Sequence, residues 1–83
     1  MLGTLQREQP TWREKFDAGE IEPAMRLLER HPEHDIKYAA ICGLIEGKSS
    51  RQAAKAFGHN VNTLQYHRRR ANKELAQVYG CTA

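Results

Sequence analysis

The chain of 83 residues lacks any apolar run near the ~20 residues needed to cross a bilayer. Its first segment is polar and contains an acid, unlike a secretory leader. Cysteine is scarce: Cys42 and Cys81 are far apart and fit no metal-binding spacing. Cys42 falls in an apolar stretch and is expected to pack as a small hydrophobe, in keeping with a reduced, cytoplasmic protein. His31, His34, His59 and His67 form no recognised zinc pattern, so no metal and no cofactor are expected. No carboxylate cluster stands out and the length leaves little room for a catalytic domain, which argues against an enzyme. That length suits one small domain of four or five short helices.

Charge is present, and it is unevenly placed. Residues 1–35 carry five Lys/Arg against eight Asp/Glu, a net −3; residues 36–83 carry eight against two, a net +6. A basic half beside an acidic half points to a polyanionic partner on one side only. Residues 1–9 have no apolar periodicity and are expected to be a flexible N-terminal arm, leaving 10–83 as a single helical domain.

Thr11 and Glu14 have capping-box spacing, so a helix is expected over about 12–18, ending at Gly19. Trp12 and Phe16, four apart, share its inner face. A second helix runs from Ile21, with Pro23 in its first turn, to a stop near Arg30 imposed by Pro32. Met25, Leu28 and Ile21 form one stripe with Leu27 beside it, either core or half of a dimer interface. A third helix, about 34–46, opens on Glu33 and Asp35, where the helix dipole favours negative charge. Ile36, Ala40, Ile41, Leu44 and Ile45 give it a broad apolar face, and Ala39, Ala40 and Gly43 keep it slim.

The stretch from Ser49 to Leu75 organises the rest. Ser49 and Gln52 form a second capping-box pair, Gly58 suits a left-handed helix end, and Asn60 suits the N-cap of the next helix. Ala53, Ala54, Phe57, Val61, Leu64, Ala71 and Leu75 mark the inward sides. The expected fold is therefore all-α, four to five short helices with a helix-turn-helix over about 49–75. The helix after the turn, about 61–77, is long for so small a domain. Its end would be covered by self-association or by docking onto the N-terminal helices.

Ser49-x-x-x-Ala53-Ala54-x-x-Phe57-Gly58, then Asn62-Thr-Leu-Gln-Tyr-His-Arg68 and Lys73-Glu-Leu75, resembles the DNA-binding domain of LuxR/GerE-type regulators. It is also similar to the promoter-reading helix-turn-helix of sigma factors. The resemblance covers roughly residues 36–75. It departs at His59, where these families carry a small aliphatic residue, and no receiver or ligand-sensing domain precedes the motif. The resemblance implies that the helix about 61–77 enters the major groove of double-stranded DNA. Val61, Asn62, Gln65, Tyr66 and Arg69 are then the candidates for base contact, because Asn and Gln pair with adenine, Arg with guanine, and apolar groups with the thymine methyl. Lys48, Ser50, Arg51, Thr63, Arg68, Arg70 and Lys73 are the candidates for phosphate contact. Arg68, Arg69 and Arg70 lie about 100° apart on a helix and cannot all reach one groove. His67, where the resembling family also has histidine, is expected to be half-buried packing.

The expected function is sequence-specific DNA-binding transcriptional regulation, by a small repressor acting as a homodimer on a palindromic or repeated site. One helix-turn-helix seldom supplies enough base contacts, hence the dimer. An alternative is a protein-binding adaptor or anti-activator that grips RNA polymerase or a regulator, with Trp12 and the acidic half as its active surface.

Overall fold

The computed structural model describes residues 11–81 and is all-α: α1 (Trp12–Asp17), α2 (Glu22–Glu29), α3 (Ile36–Glu46), α4 (Ser50–Phe57) and α5 (Val61–Val78), with no strand among the described residues. The arm expected over residues 1–9 lies outside them. Both capping boxes close. Thr11 Oγ1 accepts from the Glu14 N–H at 3.2 Å while Glu14 Oε1 accepts from the Thr11 N–H at 3.1 Å. Ser49 and Gln52 exchange the same pair at 3.2 and 2.9 Å. Each box satisfies N–H groups that have no partner within the helix.

The start of α3 needs a correction. Asp35 is its N-cap and not part of it: the carboxylate accepts from the Lys37 N–H at 2.9 Å, and the helix begins at Ile36. That bond, ahead of nearby His and Lys charges, holds the Asp35 carboxyl below the usual aspartate range, although partial desolvation opposes it. Gly47 then ends α3 in the left-handed region, at φ 72°, where a side chain would be strained.

α3 is the hub. It packs on α2, α4 and α5, and one apolar cluster draws on all five helices. Ala39, Ala40, Ala53 and Ala54 are all buried, so the helices approach closely. Gly43 sets the limit of that approach. A Cβ there would lie 2.9 Å from the Ala53 Cβ and 3.4 Å from Arg68 Nη1.

As core, the stripe expected on α2 is also corrected. Leu28 is buried, but Ile21 is 49% and Met25 37% exposed, and the inner face is Ala24, Leu27 and Leu28. Ile21 is the N-cap and lies outside the helical turns, and small Ala24 is fully buried.

The far end of α5 is covered from within the chain. Trp12 Nε1–H donates to Asn72 Oδ1 at 2.8 Å, and its ring lies 6.3 Å from that of Tyr79. The Tyr79 hydroxyl donates to the Glu20 carbonyl, and Lys15 Nζ donates to the Tyr79 carbonyl at 3.3 Å. Arg13 donates to the Leu44 carbonyl at the end of α3 and lies over the rings of Trp12 and Phe16. Of the two ways to cover this helix end, docking onto the N-terminal helices is the one observed. Among the described residues no helix is long and apolar enough to cross a membrane.

Candidate nucleic-acid interface

The three residues Gly58, His59 and Asn60 join α4 to α5. Gly58 adopts φ 74°, and the His59 N–H donates to the Ala54 carbonyl at 2.9 Å, which closes the end of α4. Asn60 Oδ1 accepts from the N–H groups of Asn62 and Thr63 at 2.9 and 3.2 Å and so opens α5. His59, the residue that departs from the family pattern, does not disturb the turn. It is half-buried, and its Nε2 is buried without a hydrogen-bond partner.

Leu64, Ala71 and Leu75 are buried and fix the rotation of α5. With about 100° per residue, that rotation turns Asn62, Tyr66, Arg69 and Lys73 into a single outward row, with Gln65 along one edge. All five are exposed. From Val61 through Lys73 there is no acidic residue, and within the row Arg69 and Lys73 carry positive charge.

The remaining candidates fall elsewhere. Val61 is half-buried and packs against the apolar cluster, which leaves little of it to project. Thr63 and Arg70 flank the row on its other side. Arg70 Nη1 donates to the Tyr66 hydroxyl at 3.3 Å, with its guanidinium 5.6 Å from the centre of the Tyr66 ring. This pair holds two long exposed side chains together. At the start of α4, Arg51 is exposed and Ser50 half-buried. Lys48 is half-buried and paired with Glu46 at 3.2 Å, so its charge is partly neutralised. His67 is half-buried as expected, its ring edge-on to Tyr66 at 5.2 Å.

Arg68 differs from its two neighbours. It turns inward against Gly43, its Nη1 is buried with no partner, and burial pushes its guanidinium pKa down. A groove beside α5 is lined by Leu44, Ser50, Gln65, Tyr66, Arg68, Arg69, Arg70, Asn72 and Lys73, so it takes in part of the outward row as well as Arg68. Four of these are cationic and none is acidic. Asn72 is absent from the candidates read in the sequence. Its place one turn after Arg68 was the available signal, but only the indole of Trp12 gives that place meaning.

Outside the groove, burial raises the Cys42 thiol above its usual pKa, with Glu46 adding to the effect, as suits an unreactive packing residue. No group of three or more His, Cys, Asp or Glu placed to hold a metal occurs among the described residues. No family model, curated protein or solved structure matches the chain.

Proposed function

We propose that this protein is a sequence-specific DNA-binding transcriptional regulator that lays α5 in the major groove. The observation that carries this reading is the outward row Asn62, Tyr66, Arg69 and Lys73, with Gln65 beside it, on a helix without an acid before Glu74. Side chains able to pair with base edges sit between cations able to hold the two backbone walls. Asn62, Gln65, Tyr66 and Arg69 read bases, with Val61 at the entry. Arg51, Ser50, Thr63, Arg70 and Lys73 contact phosphate, and Lys48 does so once released from Glu46. The protein acts in the cytoplasm as a small repressor, binding as a homodimer because one row of five side chains reads too few base pairs for a discrete operator.

Selection of bound sequences from a random duplex pool tests the proposal. Enrichment of one motif, repeated or palindromic, with affinity that falls steeply as salt rises, is the expected result. Equal affinity for selected and random duplexes removes sequence-specific reading.

A second reading is favoured by one observation, the exposure of Ile21 and Met25 beside Glu20 and Glu22 on the acidic side. As a protein-binding adaptor, the chain would present that face to RNA polymerase or to a regulator, without Trp12, which is expected in that surface but is buried in the core. Regulation that survives loss of DNA binding would select this reading.

A further inference from the structure

The groove beside α5 holds a set of donors that the outward row does not use. The indole N–H of Trp12 can only donate, so the oxygen of the Asn72 amide must face it, 2.8 Å away. The orientation of that amide is thereby settled. Its acceptor is engaged on the protein side, and its two Nδ2 hydrogens are left for the groove that Asn72 lines. One turn earlier on α5, Arg68 lines the same groove, and its buried Nη1 has no partner. That nitrogen lies against Gly43, out of reach of solvent, so what Arg68 brings to the groove is positive charge beside Asn72. No carboxylate lines the groove, and exposed Lys73 lines it as well.

We propose that this groove binds a phosphate group, with Asn72 Nδ2 donating from the protein side, the Arg68 guanidinium supplying charge beside it, and Trp12 acting as the positioning residue for Asn72. Lys73 neutralises the same group from the solvent side. A base edge offers donors and acceptors mixed, whereas a phosphate offers acceptors only, and the groove presents cations and oriented N–H groups. The phosphate is a backbone phosphodiester of the bound duplex. In that respect the inference rests on the DNA reading above, to which it adds Asn72 and Trp12 and gives Arg68 an inward position. Gly43 lets α3 and α4 approach here, because a Cβ would meet Ala53 at 2.9 Å and touch Arg68 Nη1 at 3.4 Å.

The test uses the full chain and two probes. Inorganic phosphate is titrated while fluorescence and the indole N–H resonance of Trp12, the single tryptophan, are followed. Duplex DNA, selected and random, is titrated over a range of salt concentrations. The wild-type protein is expected to give a saturable Trp12 response to phosphate. Asn72→Asp keeps an oxygen for Trp12 but replaces the outward donors with a carboxylate oxygen. It should abolish the phosphate response and lower the slope of log affinity against log salt by about one, equally on both duplexes. Arg68→Gln should act in the same direction, and it decides the matter if Asn72→Asp alters the circular dichroism or the Tm. Asn62→Asp, the same charge change at the tip of α5, should spare the phosphate response and reduce discrimination between duplexes.

A wild-type chain blind to phosphate, with a salt slope unchanged in Asn72→Asp, overturns the pocket even where DNA binds. Identical behaviour of Asn72→Asp and Asn62→Asp with both probes overturns it too. A chain that binds no duplex yet loses its phosphate response in Asn72→Asp refutes the DNA reading and supports the pocket, with free phosphate as its ligand.

Discussion

The two halves of α5 are built on opposite plans. From Val61 to Arg70 the helix buries only Leu64 fully, and most of its side chains stand in solvent. From Ala71 to Val78 it buries Ala71, Leu75 and Ala76, and Tyr79 follows at its C-cap, locked to Glu20 and stacked near Trp12. One half presents side chains and the other holds the helix still. A rigid helix positions polar groups more closely than a loop does, so the anchored half serves the exposed half. The division also explains why a small domain keeps five helices, since α1 and the start of α2 cover the anchored end.

Three changes break or sharpen this contrast. Leu75→Ala removes a fully buried side chain from the anchored half. It should cost about 2–5 kcal/mol of stability, measured by denaturant unfolding. A cost below 1 kcal/mol would mean that the end of α5 is not an anchor. Arg69→Ala removes an exposed side chain from the presenting half. Stability should stay within about 0.5 kcal/mol of wild type, while affinity for a selected duplex falls by about 1–3 kcal/mol with relaxed specificity at one position. If unfolding and binding both suffer, the two halves are not separable.

The smallest effect concerns the helix on which both halves rest. The folded-state pKa of Asp35 is depressed, so its contribution to stability is present above the ordinary aspartate value and is lost as pH falls through the folded value. Asparagine can cap α3 without titrating. Asp35→Asn should therefore flatten the pH dependence of Tm below about pH 4 and leave neutral-pH stability nearly unchanged. An acid limb identical to wild type would rule out Asp35 as its source.

Much of the fold was legible because its punctuation is local. Thr11 with Glu14, Ser49 with Gln52, and Asn60 each satisfy N–H groups within three residues, and Gly47 and Gly58 end helices by their own backbone freedom. Errors arose where a residue has two roles open to it. Asp35 could open α3 or sit within it, and only its bond to the Lys37 N–H decides. Ile21 and Met25 are as apolar as Leu28, and periodicity alone did not reveal that α2 turns Ala24 and Leu27 inward instead. The candidate interface was legible to a similar degree. Asn62, Gln65, Tyr66 and Arg69 follow from the phase set by Leu64 and Ala71, whereas Val61 and Arg68 lie nearer the core than charge and position implied.

By itself, the sequence determined an all-α chain, the five helices with most of their ends, and the outward row of α5, because caps, glycines and a 3.6-residue period act over a few positions. Tertiary structure alone decided the rest. It placed Trp12 against Asn72 across sixty positions, turned Arg68 toward Gly43, and covered the end of α5 with α1 and the start of α2. Such contacts depend on how whole helices dock, and docking is governed by shape and burial summed over many side chains that no short stretch encodes.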